Sequence, residues 1–379
     1  MYKPRIIESF NSLVIILFFI IPFTIIAFID QSSRNLYYFF LVTFYLGLSV
    51  FLNKELFKVK YNNALRFALL FIGTGVVNQL INGYISYYNL IAPFAAYLGY
   101  IYAIKYKFSE KMFTVLMIGN YLYFILIYYS RNSLDFFMPE AQMNTQFFIN
   151  TSTNLIPAVL IINLYIYDLF NHFKFNNKSE KVIYIFAIIN VILILLQRSR
   201  AGIVVSVIFL LLKTKQLNKK LFVLSLFIVF IFILQNQLIV NLYLDTTGGM
   251  TKITDYEEDA RGFVLKLFFA NLDMKSFFLG YGPDIFSLGR VFSTQSLFLN
   301  IWNYYSVVTL AITLYIVITR FTFQLKNMIP ASFLITFLAY SLFEGFFLSN
   351  FWDFFIYIIL FYKLDDSKNP IIIKKMYQT

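Results

Sequence analysis

A chain of 379 residues that is 60% hydrophobic and 13% charged, with mean hydropathy +0.71, is not an ordinary water-soluble globule, where about a quarter of residues carry charge. The absence of cysteine excludes disulfides, thiol catalysis and cysteine metal sites, and the single histidine, His172, excludes a histidine-rich metal centre. The net charge of +12 sits in short clusters between apolar runs, which is the pattern of membrane orientation and not of a nucleic-acid interface.

Taken in order, apolar runs long enough to cross about 30 Å of hydrocarbon lie near 12–29, 36–52, 64–80, 84–104, 112–130, 150–170, 181–197, 201–212, 221–240, 296–319, 328–348 and 350–362. The runs at 201–212 and 350–362 are short, so the expected count is twelve with a lower bound of ten. Lys3 and Arg5 precede the first run and no small-residue cleavage site follows Ile29, which predicts a retained signal-anchor helix. The expected fold is an all-α integral membrane protein, one polytopic domain over 1–379, with a large polar loop at 241–295 between the ninth and tenth helices. That loop carries seven acidic and five basic residues in a chain otherwise dominated by Phe, Ile, Leu and Tyr.

With a cytoplasmic N-terminus and twelve spans, 22 of the 31 Lys and Arg fall on the inner side, and both termini are cytoplasmic. One helix added or dropped early would scatter the lysine clusters over both faces, so the positive-inside bias supports count and orientation together. A second asymmetry concerns the outer side: 19 of the 22 lysines are inside, but six of the nine arginines, Arg34, Arg131, Arg198, Arg200, Arg261 and Arg290, are outside. Orientation gives no preference for Arg over Lys, whereas a guanidinium binds phosphate oxygens bidentately and keeps its proton. Arg34 and Arg131 fit lipid-headgroup snorkelling. Arg198 and Arg200 sit at a turn before Gly202, between two runs otherwise free of charge, where an unpaired cation requires a purpose.

Within the loop, Phe263, Leu267, Ala270 and Met274 recur at helical spacing and predict an amphipathic helix over 261–274 at the interface, closing over a ligand or anchoring the loop.

Gln197-Arg198-Ser199-Arg200-Ala201-Gly202 opening a helix, then a long outer loop with Ala260-Arg261-Gly262 and Phe278-Leu279-Gly280-Tyr281-Gly282-Pro283, then Thr294-Gln295-Ser296 leading into the next helix, resembles the O-antigen polymerase and ligase family. The motif region spans roughly 197–300, and the helix count extends the likeness over the chain. The resemblance implies a GT-C-like bundle that transfers a glycan from an undecaprenyl-pyrophosphate-linked oligosaccharide at the periplasmic face of the inner membrane, with no metal or other cofactor. It implies pyrophosphate binding by Arg200 and Arg261 and a turn at Gly280 and Gly282; Arg198 and Arg290 fit the same cationic role by their chemistry, and Tyr281 and Gln295 are candidate glycan or loop-turn residues. Ligases carry a His-Asn pair where this chain has Gln295-Ser296, and His172 lies at a cytoplasmic helix end, so the polymerase is favoured over the ligase. Expected partners are the lipid-linked substrate, membrane lipids and a chain-length regulator.

Fixed cations stabilise a pyrophosphate leaving group, and a carboxylate base assists the attacking sugar hydroxyl. The base is expected among Glu344, Asp284 and Glu258, with Asp255, Glu257 and Asp259 in the same loop run. Glu344 stands in an apolar stretch, as a base or as a buried partner of an arginine. The run 255–259 reads first as a solvated loop face and only second as the source of a base. Trp302, Asn303, Tyr304 and Tyr305 are placed to meet sugar. A lipid-linked oligosaccharide flippase shares the helix count and the basic inner loops, but is expected to have short outer loops and several midmembrane charges.

Overall fold

The computed structural model describes residues 62–105, 110–130, 155–196, 200–217, 268–270, 272–282, 297–327 and 354–366. Among the described residues every regular element is a helix and there is no strand: α1 Asn63–Asn82, α2 Tyr87–Lys105, α3 Glu110–Ser130, α4 Leu155–Phe173, α5 Glu180–Leu196, α6 Arg200–Leu217, α7 Met274–Leu279, α8 Leu297–Tyr304, α9 Val307–Asn327 and α10 Phe354–Asp366.

The boundaries follow local chemistry. Asn62 caps α1 by accepting the Leu65 N–H at 2.8 Å, and Gly83 ends the helix in the left-handed conformation that a side chain would resist. Gln79 then clasps the turn, accepting the Ser86 N–H at 2.8 Å and donating to the Ser86 carbonyl at 3.1 Å, so that α2 returns antiparallel to α1. The short run at 201–212 belongs to a helix of 18 residues, Arg200–Leu217, because the helix continues through Lys213 and Thr214 beyond the apolar stretch.

Two expectations are corrected. The run 296–319 is two helices, broken at Tyr305–Ser306: the Ser306 hydroxyl accepts the Thr309 N–H at 3.0 Å and so starts α9 afresh. The continuous periodicity expected to reach Met274 is interrupted at Asp273, whose extended backbone and side chain cap α7 in a reciprocal box with Ser276. Residues 261–267 lie outside the described residues.

Packing is aromatic. Phe67 of α1 meets Tyr357 and Phe361 of α10 at 5.6 and 5.4 Å between centroids, and Phe71 meets Tyr305 at 4.8 Å, edge to face. Phe113 of α3 stacks on Tyr167 of α4, whose hydroxyl lies 2.7 Å from that of Thr114. Helix α2 packs on both α1 and α10, while α4, α5 and α6 pack in sequence.

Alongside the apolar core, several polar side chains are buried and a set of large apolar ones is exposed. Asn78, Asn120, Asn163, Asp168, Asn190, Ser206 and Lys213 are buried, whereas Leu69, Val76, Leu80, Val115, Ile118, Leu122, Ile185, Ile188, Ile192, Val308, Ile312 and Tyr315 are exposed. The spacings 115, 118, 122 and 185, 188, 192 each describe one helical face. Among the described residues one helix, α1, is long and apolar enough over its length to cross a membrane; shorter apolar stretches occupy Asn89–Ile101, Ala158–Phe173, Gly202–Thr214 and Val307–Arg320.

The bundle has two chemically distinct ends. At one, Lys174 Nζ donates to the Ile104 carbonyl at 2.7 Å and Ser179 Oγ donates to Glu110. There Lys213, fully buried on α6, lies 2.6 Å from Asp168 of α4 and 3.3 Å from Glu180 of α5. At the other end of α2, about 22 Å away for fifteen residues of helix, the Tyr305 hydroxyl donates to the Asn89 carbonyl at 2.9 Å. The Gly-x-Gly part of the long loop is held near that end, on Asn78, Asn82 and Asn303.

Candidate functional site

The site grows from two amides on α1. Asn78 and Asn82 are one turn apart, so both face the same neighbour. Asn78, fully buried, donates through Nδ2 to the Leu279 carbonyl and to the Asn303 carbonyl, the latter at 3.2 Å. Its Oδ1 accepts from the Tyr84 hydroxyl at 2.8 Å and from Asn82 at 3.2 Å. Asn82 donates also to the Gly280 carbonyl at 3.3 Å. From the opposite side Asn303 of α8, also buried, accepts the Tyr281 N–H at 3.0 Å and donates to the Gly282 carbonyl at 2.7 Å. A chain segment without regular structure has backbone polar groups to satisfy, and these amides satisfy four of them between residues 279 and 282.

The Gly-x-Gly sequence is explained by this docking. Gly280 has φ +74° and ψ −178°, a region that essentially only glycine occupies, and a Cβ there would lie 2.5 Å from the Trp302 carbonyl oxygen and 2.6 Å from Asn303 Cα. Gly282 has φ +68°, and a Cβ there would press on the Tyr84 ring. Between them Tyr281 sends its hydroxyl to the Phe268 carbonyl at 2.8 Å, and burial pushes its phenol above the ordinary value. Trp302 donates its indole N–H to the Phe277 carbonyl at 2.7 Å and stands edge-on to Phe268 and Phe277.

Asp273 is the one carboxylate in this group among the described residues. Hydrogen bonds from the Ser276 hydroxyl and N–H hold its carboxyl below the usual value. A lowered folded-state value means that the cap stabilises α7 above the unfolded carboxyl value of about 3.9, and that this is lost as pH falls through the lower folded value. Asp273→Ala is therefore expected to speed hydrogen exchange at the Ser276 amide at neutral pH, and the difference from wild type should vanish in acid.

Of the residues expected from sequence, Gly280, Tyr281 and Gly282 are brought together on Asn78, Tyr84 and Asn303. Arg200 is the first residue of α6, thirteen residues from Lys213 and so about 20 Å along the helix from the buried ion pair. Arg198, Arg261, Arg290, Glu258, Asp284, Gln295 and Glu344 lie outside the described residues. Sequence reading overlooked Asn78 and Asn82 as partners of the Gly-x-Gly turn. The signal was available: amide side chains inside an apolar helix seek hydrogen-bond partners on neighbouring elements. Asp168 was equally legible as the lone charge in the apolar run 155–171.

The described part of this site is chemically a holder. Neutral amides and ring edges fix the point from which residue 283 onward departs, two residues before Asp284. No family model matches the chain, and no curated protein or solved structure is significantly similar to it.

Proposed function

We propose that the chain is a metal-independent integral-membrane glycosyltransferase of the bacterial inner membrane, of about twelve spans, that joins undecaprenyl-pyrophosphate-linked oligosaccharide repeats at the periplasmic face. The observation that carries this reading is the docking of residues 279–282 of the polar loop between the last turns of α1 and helix α8. A loop clamped at its Gly-x-Gly turn supplies one fixed point, and transfer from a phosphorylated donor requires groups held in a set geometry. The apolar exterior supports the membrane environment, since contiguous exposed Leu, Ile and Val on several helices would be unfavourable in water. The inner end, with Lys174, Lys178, Lys181 and Lys213, agrees with a cytoplasmic side and the loop end with a periplasmic one.

In this reading Arg198, Arg200, Arg261 and Arg290 hold the pyrophosphate, a carboxylate among Glu344, Asp284 and Glu258 takes the proton of the acceptor hydroxyl, and a chain-length regulator is the partner protein. The buried Asp168–Lys213–Glu180 group favours a second reading as a flippase of the same lipid-linked substrate, because ionisable side chains inside a bundle mark transport paths as well as structural ties.

Size separation of surface glycan from a deletion strain decides between them. Single repeats on the acceptor without a ladder mean polymerase. Polymer retained on the lipid carrier means ligase, and loss of outward-facing lipid-linked repeats means flippase. Within the polymerase reading, Arg200→Ala is expected to lower polymer formation about ten- to hundredfold, the equivalent of about 1.5–3 kcal/mol for a charge-assisted contact. Arg200→Lys should recover little of it, since an ammonium lacks the bidentate fork. Full polymer from both variants rejects the phosphate-binding role of Arg200.

A further inference from the structure

Helix α7 has two unlike faces. Ser276 is buried against the docked loop, while Met274 is 78% exposed and Phe277 and Phe278 are about half exposed, with Phe269 beside them. Three aromatic rings and a methionine open to the surroundings on a strap of fifteen residues are costly in water. Their position supplies a cover. Lys275 Nζ donates to the Ile81 carbonyl at 3.3 Å, which sets α7 beside the last turn of α1, where Leu80 and Ile81 are themselves exposed. Leu80 ends the stripe Leu69, Val76, Leu80 on one face of α1, so the apolar surface of α7 continues the apolar surface of the helix fit to cross a membrane.

We propose that Met274, Phe277 and Phe278, with Phe269, enter the outer leaflet of the bilayer and anchor the polar loop beside its Gly-x-Gly turn at headgroup depth. This rests on the membrane reading above. A short helix with aromatic residues on its lipid side and its polar groups capped or docked on the other belongs in the interfacial layer. The Asn78–Asn303 clamp then fixes the turn from the bundle side and lipid fixes it from below. Gly282, two residues before Asp284, is thereby held at headgroup depth.

Spin labelling tests this cleanly, because the chain has no cysteine of its own. Met274→Cys, Phe277→Cys and Phe278→Cys, each labelled in the full chain reconstituted in phosphatidylcholine–phosphatidylglycerol vesicles, are expected to collide more with oxygen than with a water-soluble nickel chelate. Leu69→Cys serves as the midmembrane reference and Lys178→Cys as the aqueous one. Water-like collision at all three loop positions with a lipid-like Leu69 label overturns the anchor alone. Exclusion of both collision partners at those positions means protein contact and also overturns it. A water-like Leu69 label overturns the membrane reading together with the anchor.

Discussion

Lys213→Met is expected to lower the stability of the bundle by about 3–5 kcal/mol, measured as the shift in the unfolding midpoint of the detergent-solubilised protein. The Lys213 ammonium is fully buried and lies 2.6 Å from Asp168 and 3.3 Å from Glu180, so one cation serves carboxylates on two other helices. Removing it leaves Asp168 buried and Glu180 nearby without their shared counter-ion, and the desolvation of Asp168 is no longer offset. Asp168→Asn should cost less, since Lys213 keeps Glu180. The double substitution Asp168→Leu with Lys213→Met should regain most of the loss, because two apolar side chains of similar size remove both desolvation penalties. If the double variant is as unstable as Lys213→Met alone, the pair is not coupled as the distances indicate, and if flippase activity rather than stability is lost, the transport reading gains. Such a tie between α4, α5 and α6 lies at the end of the bundle opposite the docked loop, so a stability change there should leave the susceptibility of the loop to protease in the folded fraction unaltered.

How much of this was legible in the sequence varies with the kind of signal. Helix existence was plain for runs such as 64–80 and 84–104, since uninterrupted apolar stretches of that length are not built otherwise, and α1 and α2 lie within three residues of the expected limits. The break at Ser306 was not legible, because a serine between apolar segments is tolerated inside helices as often as it caps one. For the same reason the helical spacing over 261–274 runs through Asp273, although its side chain caps the next helix. The Gly-x-Gly turn was recognised as a turn, but its docking partners sit some two hundred residues away on α1, and periodicity is blind to contacts of that range. Positive-inside reasoning groups the lysine at 213 with the inner cluster, but says nothing of its burial, which depends on carboxylates contributed by α4 and α5 that only the packing brings to it.

Gly280→Ala carries the other large expected effect, about 2–6 kcal/mol on the docking of the Gly-x-Gly turn. Two costs combine. The backbone at φ +74° and ψ −178° is strained by about 1–3 kcal/mol for any residue with a Cβ. The Cβ itself would meet the backbone of Trp302 and Asn303 at 2.5–2.6 Å, and a main chain held by Asn78 cannot yield as a side-chain tip can, which adds about 1–3 kcal/mol. Gly282→Ala meets the Tyr84 ring instead, so it should be milder, and truncation of that ring in Gly282→Ala with Tyr84→Ser should relieve the overlap. Gly73→Ala, where a Cβ would find open space, is the control and should change nothing or stabilise α1 slightly. Limited proteolysis reads the outcome: Gly280→Ala should expose sites around 272–282 to cleavage while the helical bundle keeps its unfolding midpoint. In the polymerase reading the same variant should leave the protein in the membrane but remove long polymer, because residue 283 and those after it would no longer depart from a fixed point. A Gly280→Ala protein with wild-type cleavage would mean that the turn is not docked on α8, and wild-type polymer from a protein whose turn is cleaved would mean that docking is unnecessary for the transfer.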